Sequence, residues 1–314
     1  MPLSTDPKAV ELASEVLKSF DGVNGTVHSG FRPGHAKGIL LSGTFTPAPE
    51  AAKLTRAPHI QHPSTPVTMR LSNFAGVPTI PDNDPNGASP RGCAIRFNLA
   101  DHVHTDIVAH SVDSFPARTA EGLIAFLDAV AATDPNGPHP NAIEQYLGSH
   151  PEALAFVQIP KPIPTSFAHE SFFAVSAFKF TNAEGKTQYG RYRILPVAGN
   201  QYFSAEDAAK QSPDFLFDEL KQRLASGPVK YKITVQLGAD GDKTDDATVR
   251  WPEGRPLVDF GEIALTGVIE NNAKEQQHII FDPIPRVDGI EASADPLFQP
   301  RADVYLLSGR RRRS

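Results

Sequence analysis

The sequence predicts an α+β fold in which an antiparallel β-barrel, closed or nearly so, is surrounded by helices. Strand-length apolar runs recur along the chain between Pro, Gly and Asn turns. Helical runs are interspersed among them without the regular strand–helix alternation of a parallel sheet. The 29 prolines and 23 glycines supply the punctuation that a barrel of short antiparallel strands requires.

Taken in order, residues 1–22 form an amphipathic helical pattern, and 39–46, 65–74 and 91–100 read as strands. A shorter strand follows over 104–110. Apolar spacing predicts a helix over 119–132 behind a Thr119 cap, with short helices over 142–146 and 152–156. Strands resume over 171–181 and 187–196, joined by a turn at Asn182-Ala183-Glu184-Gly185. Ser204 can cap the helical segment SAEDAAK, and a second helix spans about 214–225. Residues 230–239 and 260–269 are the last clear strands, and a helix from about Asp295 to Arg310 is expected to break or bend near Pro300. The loop 77–90 is too tightly punctuated for a linker, so 1–314 reads as a single domain.

Composition narrows the function. A net charge of -6 with interspersed signs gives no basic field for nucleic acid, and the only dense basic run is Arg310-Arg311-Arg312-Arg313. No stretch approaches the ~20 apolar residues of a membrane span. The first helix lacks the apolar centre of a secretory signal, so a cytoplasmic protein is expected. The single cysteine, Cys93, lies in an apolar run and reads as a packed core thiol. Trp251 reads as a packing or turn residue. Phosphate-cradling glycine loops, zinc-spaced Cys/His clusters and the GxSxG elbow are all missing from the sequence.

The terminal helix carries a suggestive pair. Arg301 and Tyr305 are four residues apart and share a helix face, so the guanidinium can reach the phenol oxygen. A free tyrosine has a pKa of about 10, and a cationic neighbour favours the phenolate, a ligand for ferric iron. Alone, this spacing reads more simply as an ordinary Arg and Tyr packed at a helix end.

Ordered motifs across some 270 residues are more specific. FRPGHAKG (31–38) resembles the distal-histidine segment of the monofunctional haem catalases. TPVTMRLSNFAG (65–76) and PRGCAIRF (90–97) resemble the next two strands of that family. SAEDAAKQSPDF (204–215), FDPIPRVDGIEASADPLFQPR (281–301) and RADVY (301–305) continue the match to the Arg-x-x-x-Tyr haem-ligand motif. The chain is most similar to the short, catalase-related peroxidases, without the wrapping and C-terminal helical domains of full-length catalases.

This resemblance implies a catalase-like barrel with a C-terminal proximal haem helix, and haem b as cofactor. It makes Tyr305 the iron ligand, Arg301 its cationic partner and His35 the distal acid–base residue, with Ser72 hydrogen-bonded to the imidazole. Arg32, Arg70 and Arg312 fall where arginines receive the haem propionates, Arg310 being the rival to Arg312. Peroxide and a small organic electron donor are the implied partners, and a homodimer is the candidate assembly. Two positions depart from the catalase pattern. His110 stands in the place of the distal asparagine, where its bulk and any charge it carries would hinder dismutation, and Ser176 replaces a proximal-side histidine. The implied function is a haem peroxidase, acting on hydrogen peroxide or organic hydroperoxides, with weak catalase activity. The alternatives are a hydroperoxide isomerase of the allene oxide synthase type and a non-enzymatic haem carrier or store.

Overall fold

The computed structural model describes residues 2–314. Ten strands form one antiparallel sheet: β1 (Gly38–Pro47), β2 (Thr65–Ser72), β3 (Gly92–Ala100), β4 (Val103–His110), β5 (Phe172–Phe173), β6 (Phe178–Thr181), β7 (Thr187–Pro196), β8 (Val229–Leu237), β9 (Leu257–Val268) and β10 (Ile290–Ala292). Pairing of β7 with β8 closes eight of them into a barrel in the order β7-β5-β4-β3-β2-β1-β9-β8, and β6 and β10 continue from β7. Closure leaves no free edge around the ring.

Inward-facing side chains fill the barrel. Leu41, Phe45, Met69, Leu71, Ile95, Phe97, Tyr231, Ile233 and Phe260 belong to one buried cluster. Cys93 belongs to it too, and burial pushes its thiol pKa far up, as expected of an inert core thiol.

The helices are α1 (Pro7–Asn24), α2 (Ala51–Leu54), α3 (Pro58–Gln61), α4 (Ala120–Ala131), α5 (Ala142–Ser149), α6 (Pro151–Gln158), α7 (Ala205–Ala209), α8 (Phe215–Ser226), α9 (Asn272–His278) and α10 (Phe298–Arg311). Local chemistry explains their starts. The Asp6, Thr119 and Ser204 side chains accept backbone N–H groups at the first turns of α1, α4 and α7. Helix α1 packs against both α4 and α10. The Arg311 guanidinium grips Asp21 in α1 through two bonds of 2.6 and 3.0 Å. Half of the terminal basic run is therefore structural: Arg311 is partly buried and Arg312 buried, whereas Arg310 and Arg313 are exposed.

Two expectations need correction. The single strand expected over 171–181 is two strands, because residues 174–177 leave the β7 ladder between the pairs Phe173↔Arg193 and Phe178↔Gly190. Four residues stand opposite two there, a bulge that turns Val175 and Ser176 toward a cavity. Helix α10 runs unbroken through Pro300, because Pro300 lies in its first turn, where a missing N–H costs no intrahelical bond. Strand β10 and helix α9 were not anticipated. The former is three residues long, and the latter, NAKEQQH, has no apolar stripe to betray it.

Candidate functional site

Strand periodicity builds one wall of the site. Side chains two apart point to the same face, so Arg70 and Ser72 on β2, Gly92 and Ala94 on β3, and Val108 and His110 on β4 line one outer face of the barrel. Register aligns them in two rows, Ser72–Gly92–His110 and Arg70–Ala94–Val108. The middle member of each row is small, and in the first row this lets the His35 imidazole approach the strand closely. A Cβ added at Gly92 would lie 2.5 Å from Ser72 Oγ and 2.6 Å from His35 Nδ1, so the imidazole stands where any other residue would intrude. Gly92 lies in the run PRGCAIRF, and a glycine inside a strand run is the sequence signal for such a close approach.

His35 reaches this wall from the loop before β1. Its φ of 61° lies in the left-handed region, uncommon for a residue with a Cβ. Two clamps hold it there. Its N–H donates to Phe74 O at 2.5 Å, and Arg70 Nη2 donates to its carbonyl at 2.8 Å. Ser72 Oγ lies 3.2 Å from His35 Nδ1, and Phe74 meets the ring edge-on at 5.5 Å. Burial, reinforced by the Arg70 and His110 fields, pushes the imidazole pKa down to about 3, so the ring is neutral at ordinary pH.

The same cavity, of about 720 Å³, receives Arg32, Arg301, Tyr305 and Arg312. Its remaining lining is largely apolar, drawn from α1, α4 and α6 through residues such as Phe20, Leu123, Phe126 and Phe156. On α10, the Arg301 guanidinium lies over the Tyr305 ring, 5.9 Å from its centroid, and its Nη1 reaches Ser176 Oγ at 3.5 Å. Sequence spacing anticipated the shared face. The contact is with the ring and not, as expected, with the phenol oxygen, because an i,i+4 step lays the guanidinium along the side chain.

Arg32, Arg70 and Arg312 converge on the cavity, whereas Arg310 stays outside. Arg32 donates to the carbonyls of Gln276 and Ile279, Arg70 to Gln276 Oε1, and Arg312 to Ile279 O, so the end of α9 organises all three. Among the described residues no carboxylate forms an ion pair with any of them, and Arg312 Nε is buried without a partner. Burial and mutual repulsion lower Arg32 well below its ordinary pKa; burial and the Arg312 charge bring Arg70 down to about 9. Burial, then the Arg313 and Arg311 charges, bring Arg312 to about 10. Two buried arginines, Arg70 and Arg312, and the half-buried Arg32 have no anion among them and call for an acidic ligand, since unpaired buried charge is costly.

These features fit a flat apolar group bearing carboxylates: a strand wall with small residues at Gly92 and Ala94, apolar helices, an anion-seeking arginine cluster, and a tyrosine that could hold a metal in the same cavity as a histidine. Comparison with known proteins decides the family. The family model described as Catalase matches residues 31–314. The chain belongs to the catalase family. Among its relatives, a catalase-related peroxidase from Mycolicibacterium paratuberculosis is 35% identical over 298 residues, covering 93% of this chain and 92% of that protein. A catalase-related peroxidase from Synechococcus elongatus is 31% identical, covering 94% and 86%. Two solved structures show the catalase fold, each with a TM-score of 0.79 and 22% identity over 90% of this chain: a fungal catalase and catalase A from Saccharomyces cerevisiae. This chain covers 59% and 61% of those longer chains. Membership of the catalase family makes it a peroxide-acting oxidoreductase in a family of haem enzymes.

Proposed function

We propose that the chain is a haem b peroxidase that reduces hydrogen peroxide or an organic hydroperoxide at the expense of an organic donor. One observation carries this reading: a single cavity gathers His35, Tyr305 and three arginines that lack carboxylate partners. Tyr305 would ligate the iron, and Arg32, Arg70 and Arg312 would hold the propionates by charge-assisted hydrogen bonds. Haem, when bound, supplies the iron at which the peroxide O–O bond is cleaved and oxidising equivalents are held.

His35 and Ser72 do the proton work in this account. A proton on Nδ1 donated to Ser72 Oγ leaves the Nε2 lone pair free to take the proton of the inner peroxide oxygen and return it to the outer one. A neutral imidazole is the required state, and burial provides it. A carrier or store has no need of such a base held in a left-handed backbone conformation, which favours turnover over storage. The apolar lining suits an alkyl hydroperoxide as well as hydrogen peroxide.

Dismutation should be weak. His110 is bulky beside Gly92 and crowds the place where a second peroxide must be oriented, and a modest misplacement of reacting atoms can cost about 10²-fold in rate. The haem-loaded protein should therefore oxidise a phenolic donor with peroxide while evolving little oxygen, and His110→Asn should raise oxygen evolution. Vigorous oxygen evolution without donor oxidation would contradict the assignment. Rearranged products from a fatty-acid hydroperoxide, with no donor consumed, would assign isomerisation instead.

A further inference from the structure

Behind the wall that carries Ser72 and Gly92 lies a buried network of charged and polar side chains. Asn73 follows Ser72 and Arg91 precedes Gly92, so both turn away from the cavity that their neighbours line. Asn73, Arg91 and Asp82 are all fully buried. Asp82, in the loop between β2 and β3, is the hub. Its Oδ1 accepts Lys37 Nζ at 2.8 Å and Asn73 Nδ2 at 2.7 Å, and its Oδ2 accepts the Leu216 N–H of α8 at 2.8 Å. Arg91 donates through Nη1 to Asn73 Oδ1 and through Nη2 to the Asp82 carbonyl, each at 2.6 Å. Lys37 stands two residues after His35, and its own carbonyl accepts the Asn73 N–H at 3.0 Å. One carboxylate therefore ties the His35 loop to the end of β2.

The segment that Asn73 opens is the one that holds His35. Phe74 O and Ala75 O accept the N–H groups of His35 and Ala36 at 2.5 and 3.0 Å. A non-glycine residue at a φ of 61° persists only where its surroundings over-determine it, and two segments pinned to the same carboxylate supply that constraint. A buried ion pair adds little net stability over apolar packing of the same volume; its use here is to permit one geometry. We propose that Asp82 is a positioning residue for the reaction with peroxide: it locks the His35 loop against residues 73–75 and so fixes the imidazole beside Ser72, while lining no part of the cavity itself. The inference rests on the haem-peroxidase reading above, in which His35 moves the proton.

Hydrogen exchange and stopped-flow absorbance on the haem-loaded protein test this. Asp82→Asn keeps the size of the side chain but turns an N–H₂ toward donors, which breaks the tie to Lys37 and Asn73 or the one to Leu216. The His35 and Ala36 amides should then exchange roughly tenfold faster or more, while the Leu41 amide inside β1 keeps its wild-type protection. A substitution that merely lowers global stability would speed all three alike and would overturn the proposal. The first reaction with peroxide should slow by roughly 10–10²-fold at equal haem content, as a modest misplacement of the imidazole requires. In a His35→Ala background the same substitution should change that rate by less than about twofold, because a residue that acts through His35 has nothing left to position. Equal fold-losses in the two backgrounds would overturn the proposal, as would wild-type exchange and rate in Asp82→Asn. Should Asp82→Asn fail to fold, Lys37→Met cuts the tie from the loop side and carries the same predictions. A slow His35→Ala protein beside a silent Asp82→Asn would overturn the role of Asp82 alone. A His35→Ala protein that reacts with peroxide at the wild-type rate would overturn the proton role of His35 and this inference with it.

Discussion

Ser72 Oγ lies 3.2 Å from His35 Nδ1, across a gap that only the absence of a side chain at Gly92 keeps open. The backbone of His35 is held in the left-handed region by Phe74 and Arg70, so loop, β2 and β3 together determine one imidazole position. Removing the ring itself is the first test. His35→Ala should retain haem and slow the first reaction with peroxide by roughly 10²–10⁴-fold, the usual contribution of a positioned acid–base group. Stopped-flow absorbance measures that step, and a wild-type rate would remove His35 from the chemistry.

Gly92→Ala should damage the same step without touching a titratable group. The added methyl must displace either the Ser72 hydroxyl or the His35 ring, and a displacement of this kind can cost about 10²-fold. Haem absorbance should stay near that of the wild type, because Gly92 supplies no ligand. An unaltered rate with peroxide would show that the close approach is not needed.

The arginine cluster predicts how the cofactor is retained. Arg312→Gln removes one cation with free donors and should weaken haem retention by roughly tenfold, as loss of a charge-assisted hydrogen bond does. Arg310→Gln, at an exposed position, should leave it unchanged. Transfer of haem to an excess of apomyoglobin reads both, and equal transfer rates would remove Arg312 from the site.

Acid should destabilise the fold through its buried histidines. Burial holds His59 at about 3, and burial with neighbouring cations does the same to His35 and His110, against an ordinary value of about 6.5 when unfolded. The unfolded chain therefore binds more protons between about pH 6.5 and pH 3. Stability is fully present above the upper value and is lost as pH falls through this window. His59 offers a test remote from the cavity, since its ring packs on Phe97 at 4.6 Å inside the barrel. His59→Phe should flatten the fall of Tm with acidification, and an unchanged slope would contradict the linkage.

Much of this was legible in the sequence because the elements are locally determined. Strand β7 runs over the predicted residues, 187–196, and the Thr119 and Ser204 caps form as their chemistry requires. The row Ser72–Gly92–His110 was not legible, because register between strands is a property of pairing and not of any one run. Helix α9 escaped for lack of an apolar stripe, although its carbonyl end arranges the arginine cluster. The bulge at 174–177 hid inside a run that reads as one strand. Even His110, noticed as a departure, is neutral where sequence reasoning allowed it a charge, because burial and neighbouring cations hold its pKa at about 3.

The account turns on Tyr305 as the ligand of a haem iron, and the ferric absorption spectrum tests that most directly. Purified wild-type protein should show a haem Soret band with high-spin charge-transfer bands, and Tyr305→Phe should lose that spectrum together with stoichiometric haem. Identical haem content and an identical ferric spectrum in the two proteins would contradict it.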